Sequence, residues 1–388
     1  MFPPATPPIS CQRHLFPLSE HEAYLNGASR SPQLIAGADA ARQALRWRED
    51  HSGMPIETFF EPVQRLKASF AQLIHADEPD RVALIPAASY GIATVAKNLP
   101  LERGQEIVVV QDQFPSNYYA WQRLGETAGG SLRTVARPQD GSAWSDRVLE
   151  AIGPRTAAVA MAHLHWSDGT LFDLAAIRRR TEEVGAWLVI DGTQSIGAYP
   201  FDVREIRPDA LIAGGYKWLL GPYGTGYAYY GPRMDGGIPL EENWINRADS
   251  HEFHRLADYR HDYRPLAARY SVGEHSNFIS LPMQQAALDV LNQWTPEGVQ
   301  AYTATLWAPV LDDLVALGVR MTPQRAHHLV GLRLPEQLPL DRVKEALLAR
   351  DIVVSYRGDS VRVSPSVYNR VEEMQRLVEA LRAVATRT

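Results

Sequence analysis

The sequence contains a single cysteine, Cys11, and this scarcity limits the chemistry open to the protein. One cysteine cannot form an intramolecular disulfide, and no group of cysteines is present to hold a metal ion. His163 and His165 stand at i and i+2, so in an extended segment they would point to opposite sides. We therefore expect no metal site at this pair.

Long apolar runs are missing as well. No run approaches the ~20 residues that a helix needs to cross a bilayer. The proline-rich start, MFPPATPPISCQRH, lacks the basic and then apolar layout of a secretion signal. A cytoplasmic protein without a membrane partner is the expectation.

An excess of basic residues is also absent. The formal net charge is -6 and the sequence pI is about 6.1. The arginine run at residues 178–180 is followed closely by two glutamates, which is typical of a solvated helix face. We therefore expect no nucleic-acid partner.

The 388 residues, 45% of them hydrophobic, suffice for one large and one smaller domain. Residues 1–19 contain prolines at positions 3, 4, 7, 8 and 17, which predicts an extended N-terminal arm without packed structure of its own. Residues 20–295 are assigned to the large domain, with the N-terminal segment contributing to the small domain. Residues 296–388 are assigned to the small C-terminal domain.

Short apolar runs alternate with helical patterns along the large domain. This alternation predicts an α/β fold, a sheet with helices on both of its faces. Seven strands are predicted, at residues 82–85, 107–110, 132–135, 157–162, 187–190, 210–213 and 226–230. Helices are predicted at residues 35–47, 60–73, 88–99 and 173–184. Beyond about residue 294 the pattern is that of a smaller α+β domain, with strands at 328–334, 352–354 and 361–363 and helices at 340–349 and from 371.

Asp191 directly follows the apolar run at residues 187–190, and Lys217 follows the run at 210–213 after Gly214, Gly215 and Tyr216. Ligands of open α/β sheets bind at the carboxyl ends of the strands, so both side chains can face one ligand. Pyridoxal phosphate chemistry requires this pair, because the lysine condenses with the aldehyde and the carboxylate holds a proton on the pyridine nitrogen. Gln194 is a candidate donor to the phenolic oxygen of the ring. Taken singly, Asp191 is more readily explained as the start of a turn and Lys217 as a solvated lysine.

The segments DGTQS, from Asp191, and GGYKWLLGPYGTG, from Gly214, resemble the cofactor core of class V aminotransferases. These are fold-type-I enzymes that include cysteine desulfurases, kynureninases and isopenicillin N epimerase-like proteins. The resemblance implies pyridoxal 5'-phosphate as cofactor, Lys217 as the Schiff-base lysine and Asp191 as the pyridinium partner. It also implies a seven-stranded, mainly parallel sheet in the large domain and a homodimer with shared active sites.

The resemblance extends to further cofactor contacts. Ala88 and Ser89, at a helix start that follows a strand, align with the turn that grips the cofactor phosphate, and free amides with a positive dipole end suit that role. Phe114 stands where kynureninases have a phenylalanine lying on the pyridine ring and desulfurases a histidine. The other implied cofactor contacts are Asn117, Tyr216, Trp244 and Asn277, of which Trp244 and Asn277 would reach the phosphate of the partner subunit. For Phe114, Ser89 and Trp244 the alternatives are ordinary packing or capping roles.

Three residues are candidates for contact with the substrate. Arg362 belongs to a segment resembling the family signature R-x-S-x-x-x-Y-N, and its planar fork suits a carboxylate. Asn26 lies in a turn that resembles the one near the substrate carboxylate in relatives. His165, after strand 157–162, is a candidate acid, base or hydrogen-bond donor.

The reaction is left open among several types, because fold and cofactor are shared by all of them. Desulfurases need a nucleophilic cysteine late in the chain, whereas Cys11 lies in the N-terminal arm. Phe114 and Tyr216 favour a lyase that cleaves at Cβ, of the C-S lyase or kynureninase-like kind. A class V aminotransferase, an epimerase and a cofactor-binding regulator are the alternatives. The small-molecule partner is an α-amino acid or an amino-acid conjugate.

Overall fold

The architecture was analysed on a computed structural model of the chain, which describes residues 9–47, 49 and 55–386. Within these ranges the chain forms twelve strands, twelve α-helices and several short 3-10 helices. Every helix among them is too short or too polar to span a lipid bilayer. The extended conformation predicted for residues 1–8 lies outside the described residues.

The strands, numbered in chain order, are β1 (Ala23–Tyr24), β2 (Val82–Ile85), β3 (Glu106–Val110), β4 (Ser131–Val135), β5 (Thr156–Ala162), β6 (Trp187–Asp191), β7 (Ala210–Gly214), β8 (Gly226–Tyr230), β9 (Val330–Arg333), β10 (Ile352–Val353), β11 (Ser355–Arg357) and β12 (Ser360–Val363). The α-helices are α1 (Ile35–Trp47), α2 (Glu61–Leu73), α3 (Ala88–Asn98), α4 (Tyr119–Ala128), α5 (Trp144–Ala151), α6 (Leu174–Val184), α7 (Val203–Ile206), α8 (Ser280–Trp294), α9 (Pro296–Trp307), α10 (Leu311–Ala316), α11 (Leu340–Leu348) and α12 (Val371–Ala385).

The large sheet has seven strands in the order β2-β8-β7-β6-β5-β3-β4. Neighbours pair in parallel except β8, which runs antiparallel to both β2 and β7. Each of the seven predicted strands agrees with an observed one to within one residue at either end. The α/β, fold-type-I architecture is thus confirmed, and parallel pairing brings the carboxyl ends of β3, β5, β6 and β7 to one edge.

Both faces of the large sheet are buried except at the edge strand β4, which explains why its inner strands are mainly apolar. In β6, Leu188 and Ile190 belong to the hydrophobic cluster on one face, while Trp187 and Val189 belong to the cluster on the other. Asp191 follows them in the last position of the strand and is itself buried. A carboxylate at this place needs a partner, and the adjoining loops form the site where one can bind.

The small sheet lies in the C-terminal part of the chain and has the antiparallel order β11-β12-β9. Its core consists mainly of residues beyond Trp294, but Ala23 and Leu25 from the N-terminal segment are buried in it too. Strand β1 pairs in parallel with β10, so the segment around residues 23–24 is attached to the small sheet's part of the chain. Strand β11 was not predicted from the sequence, because Ser355–Arg357 is short and lacks an apolar run.

The described part of the N-terminal arm differs from the prediction. Residues 9–19 are packed against the body of the protein rather than extended alone, and Phe16 contacts Tyr368 and Trp294. The buried guanidinium of Arg13 pairs with Glu373 of α12 at 2.8 Å. Proline content predicted an extended segment without packed structure of its own, but aromatic contacts of Phe16 and the buried ion pair of Arg13 attach the described residues to the rest of the protein.

Candidate active site

A cavity of about 210 Å³ opens at the edge of the large sheet where the parallel strands end. Its lining comes from the loops after β2, β3, β5, β6 and β7 and from the turn before β8. The residues are Pro86–Ser89, Gln113, Phe114, Ser116, Ala162, Leu164, His165, Trp166, Asp191, Thr193, Gln194, Gly214, Tyr216, Lys217, Tyr223, Gly224 and Thr225. Residues distant in sequence are therefore gathered around one ligand-sized space, as expected at the carboxyl ends of strands.

Asp191 and Lys217 both line this cavity and are both buried, at 7% and 6% exposure. Oδ1 of Asp191 accepts a hydrogen bond of 2.9 Å from the backbone N–H of Thr193. The Oγ1 of Thr193 in turn accepts from the N–H of Gly214, at the end of β7. Thr193 thereby links the loop that carries Asp191 to the strand that leads to Lys217, which fixes the carboxylate relative to the amine.

The amine of Lys217 is tuned by its surroundings. Burial lowers its pKa to about 8, Asp191 raises the pKa, and Arg362 and Arg357 lower it. With this pKa about a tenth of the amine is neutral at pH 7, far more than for a solvated lysine. A neutral, buried amine at the end of a strand is suited to attack a carbonyl carbon.

Two aromatic rings flank the amine. Nζ of Lys217 lies 5.3 Å from the ring centroid of Phe114 and 5.5 Å from that of Tyr216. Phe114 is 37% exposed and meets Trp166 edge-on, with 5.6 Å between ring centroids. An exposed aromatic face beside the cavity can stack on a flat ligand ring, worth about 1 kcal/mol.

The start of α3 provides an anion cradle. Ala87 precedes the helix in extended conformation and makes no side-chain capping bond. The N–H groups of Ala88 and Ser89 have no hydrogen-bond partner among the described residues, and both residues line the cavity. Two unpaired amides, a helix dipole and an exposed hydroxyl match the needs of a phosphate.

Gln194 is buried and held from both sides. Its Nε2 donates to the carbonyl oxygen of Ala28 at 3.1 Å, and its Oε1 accepts from Nε1 of Trp218 at 2.9 Å. One hydrogen of Nε2 is not used in these contacts and remains for a ligand oxygen. The role suggested by the sequence, donation to a phenolic oxygen, stays a prediction.

The imidazole of His165 forms part of the cavity wall but is occupied by protein partners. Its Nε2 lies 3.2 Å from the carbonyl oxygen of Gln111, so this nitrogen donates. Nδ1 lies 2.8 Å from Oγ of Ser167, and Oδ1 of Asp168 is 3.6 Å away. A role as acid or base stays a prediction, which would require one of these bonds to break.

Arg362 is almost fully buried but is not itself a lining residue. Its Nε donates to Oγ of Ser355, Nη1 to the carbonyl oxygen of Trp166 and Nη2 to Oγ of Ser29, at 2.8 to 2.9 Å. Burial, together with the positive charge of neighbouring Arg357, lowers its pKa to about 9. One N–H on each Nη atom is left for a carboxylate.

Asn26 acts on this arginine through an intermediate. Its Oδ1 accepts a hydrogen bond of 2.8 Å from the hydroxyl of Ser29. The Oγ of Ser29 in turn accepts a hydrogen bond from Nη2 of Arg362. Asn26 does not line the cavity. The structure therefore gives it a positioning contact, whereas the sequence suggested direct contact with substrate.

Asn117 is also placed differently from its prediction. The 3-10 turn Pro115–Asn117 directs its side chain into the protein, where Oδ1 accepts from Nε1 of Trp121 at 2.9 Å. It is fully buried and does not line the cavity. Gln113, four residues earlier, lines the cavity in its place.

Trp244 and Asn277 lie apart from the cavity of their own chain. Together with Phe59, Phe278 and others they line a separate surface depression. Oδ1 of Asn277 accepts from the N–H groups of Ile279 and Ser280, at the start of α8. Their contribution to a phosphate site in a partner subunit stays a prediction.

Several lining residues were not singled out from the sequence, namely Gln113, Trp166, Thr193, Tyr223 and Thr225. Thr193 stands inside the segment DGTQS, so its position beside Asp191 was a usable signal. Tyr223 packs against Tyr216, with 4.6 Å between ring centroids. Trp166 donates from Nε1 to the carbonyl oxygen of Asp112 at 2.7 Å. No sequence pattern predicts that contact.

The residues present fit pyridoxal phosphate. The unpaired amides of Ala88 and Ser89 suit its phosphate, the open face of Phe114 suits its ring, and Asp191 and Lys217 suit its pyridine nitrogen and aldehyde. Each of these groups lines the same cavity, and each matches one chemical feature of the cofactor.

Comparison with known proteins supports this fit. A family model described as aminotransferase class-V matches residues 50–382. The uncharacterized aminotransferase YcbU of Bacillus subtilis is 25% identical, with 96% of each chain covered. The kynureninase of Burkholderia mallei is 25% identical, with 97% of this chain and 92% of the relative covered. The structure of the cysteine desulfurase CsdA of Escherichia coli shares the fold with a TM-score of 0.83 at 18% identity, with 96% of this chain and 97% of that chain covered.

Proposed function

The chain belongs to the aminotransferase class-V family and is a pyridoxal-phosphate-dependent enzyme, and from this premise we propose that it is a lyase cleaving at Cβ of an α-amino acid. The choice of reaction is based on the position of Phe114. Its ring centroid lies 5.3 Å from Nζ of Lys217. A phenyl ring cannot carry a proton to a leaving group or to sulfur, as a histidine in this place could. Lys217 is then the group that we assign to proton transfer at the substrate Cα.

The protein residues divide the work of the reaction. Pyridoxal phosphate, when bound, supplies an electron sink conjugated to the substrate Cα. Asp191 would hold the proton on the pyridine nitrogen of the bound cofactor, and Phe114 would hold its ring by stacking. Lys217 removes the Cα proton, after which a leaving group on Cβ departs with the bonding electrons. Arg362 orients the substrate through its carboxylate.

Desulfurase chemistry of the usual kind is disfavoured. It needs a cysteine that accepts sulfur next to the substrate. The single cysteine, Cys11, is not a lining residue of the cavity, and its Sγ lies 3.8 Å from the carbonyl oxygens of Tyr368 and Asn369. A sulfur atom expelled from Cβ would therefore leave with the departing group.

The reaction class is tested with a cysteine conjugate that carries a good leaving group on sulfur. We expect keto acid and ammonia to be released over many turnovers without an added keto acid, because elimination returns the cofactor unchanged. Transamination would stop after one turnover. Strict dependence on an added keto acid would contradict the lyase proposal and favour an aminotransferase, and Cys11→Ser is expected to retain full activity as the control for sulfur transfer.

The proposed role of Arg362 is tested by Arg362→Lys. We expect substrate affinity to weaken by about 1.5–3 kcal/mol, because a lysine cannot keep the three internal bonds and also bind both oxygens of a carboxylate. Comparison of kcat and KM separates binding from chemistry. Arg342→Lys, at an exposed arginine of α11, is the matched control, and an unchanged KM in Arg362→Lys would assign the carboxylate to another residue.

The proposed assembly is a homodimer in which Trp244 and Asn277 reach the phosphate bound by the partner. Mixing Lys217→Ala chains with Asn277→Asp chains tests it, since aspartate keeps the helix-capping oxygen but repels a phosphate. Random pairing is expected to restore roughly a quarter of the wild-type activity, because mixed dimers hold one intact site. Failure of two inactive variants to regain activity on mixing would place Asn277 outside the shared site.

A further inference from the structure

A second cavity, of about 430 Å³, lies between the large and the small domain and shares no lining residue with the active-site cavity. Residues 137–139 and 141–144 with Asp168 and Thr170 of the large domain form one side, and residues 320–324 with Gly331 and Arg333 form the other. Three arginines line it, Arg137, Arg320 and Arg333, and Asp168 is the one acidic residue in the lining. The cavity is thus basic in a chain whose formal net charge is -6.

Arg320 and Arg333 are directly opposite each other on the small domain. Their backbones exchange two hydrogen bonds, of 3.0 and 2.9 Å, so the pair is antiparallel and its side chains stand on the same side. Like charges in this arrangement are destabilising. Both arginines are exposed, and neither guanidinium has an ion-pair partner within the described ranges, so solvent alone screens the charge of the pair.

Arg137 faces the pair from the large domain and is held in place. Its guanidinium lies 4.2 Å from the ring centroid of Trp144 and pairs with Oδ2 of Asp168 at 2.7 Å. Nη1 also donates to Oγ1 of Thr170 at 3.3 Å. Asp168 offsets one of the three positive charges, so an excess of two remains in the cavity.

The two walls are fixed relative to each other by the backbone. The N–H of Gly331 donates to the carbonyl oxygen of Asp168, and the N–H of Leu171 donates to that of Gln324, both at 3.0 Å. A Cβ on Gly331 would lie 2.6 Å from Cβ of Asp168, so strand β9 and the turn that contains Asp168 approach closely there. A ligand would therefore meet a site that is already formed, which lowers the cost of binding.

We propose that this interdomain cavity binds a small anion with more than one phosphate group. A phosphate offers several oxygens to planar guanidinium forks, and three such forks from two domains surround the cavity. One phosphate group would neutralise the opposed pair Arg320 and Arg333, and a second would reach Arg137. The bound anion would supply the negative charge that the described lining residues do not provide.

The test is calorimetric titration of the holoenzyme, saturated with pyridoxal phosphate so that the phosphate cradle of the active site is filled. Pyrophosphate in a low-salt buffer without phosphate is the probe. We expect saturable binding of one pyrophosphate per chain, weakened at least about tenfold in the double variant Arg320→Gln, Arg333→Gln. Arg137→Gln is not used, because it would also leave the carboxylate of Asp168 without its partner.

Arg342→Gln is the matched control, an exposed arginine of the same domain that lies outside the cavity, and it is expected to bind pyrophosphate like the wild type. Thermal unfolding checks that each variant is folded. Absence of saturable binding at millimolar pyrophosphate, or equal affinity in the wild type and the double variant, would overturn the proposal. Succinate binding as tightly as pyrophosphate would overturn the assignment to phosphate.

Discussion

Lys217→Ala is expected to abolish covalent attachment of the cofactor and to lower turnover by at least about 10³-fold, because both the attacking amine and the proton carrier are lost. Lys217 is the lysine that lines the active-site cavity. The other three, at positions 67, 97 and 344, lie elsewhere. Borohydride treatment followed by peptide mass spectrometry shows directly which lysine carries the cofactor.

Lys344→Ala is the control for this substitution, since Lys344 is partly exposed on α11 and outside the cavity. A cofactor still trapped by borohydride in Lys217→Ala would assign the attachment to another lysine.

The pKa of Lys217 gives a further readout on the apoprotein. The neutral amine is the reactive form, so the rate of cofactor attachment is expected to rise with pH up to about 8 and then level off. A rise that continues to the pKa of a solvated lysine would contradict the effect of burial.

Asp191→Asn is expected to keep the bound cofactor but to lower kcat by about 10²–10³-fold, because a neutral amide does not stabilise a protonated pyridine nitrogen. The asparagine keeps the Oδ1 atom that accepts from Thr193, so the loop geometry is preserved. Cofactor content after alkaline release, measured together with kcat, separates binding from turnover.

Asp202→Asn serves as the control for this substitution, because Asp202 caps α7 away from the cavity and asparagine is an equally good cap. An unaltered kcat in Asp191→Asn would remove this carboxylate from the ring nitrogen. Loss of the cofactor itself would indicate that Asp191 chiefly holds the ligand in place.

The sequence determined the large sheet almost completely. Apart from the edge strand β4, its strands are buried on both faces and appear as mainly apolar runs, and each run ends close to where the chain leaves the sheet. Asp191 was found because it ends one such run, and Lys217 because it follows the next run after a short turn, which places both near the sheet edge. The helix start at Ala88 was found in the same way, from the strand that precedes it.

Only the tertiary structure decided which neighbouring side chains face the cavity. Asn117 and Gln113 are four residues apart, and a single 3-10 turn sends the asparagine to Trp121 while Gln113 stays at the cavity. The turn depends on packing against α4, which local sequence does not encode.

Contacts between distant parts of the chain were likewise beyond the sequence. Arg362 is positioned by Ser29, Trp166 and Ser355, which come from three separate segments. The opposed arginines 320 and 333 face Arg137 only after the two domains pack together. The spacing of apolar residues predicts whether a residue is buried, and this prediction needs only the neighbouring residues in the sequence. The identity of the partner that meets a polar group depends on how the chain returns through space, and that is settled by the packing of the whole molecule.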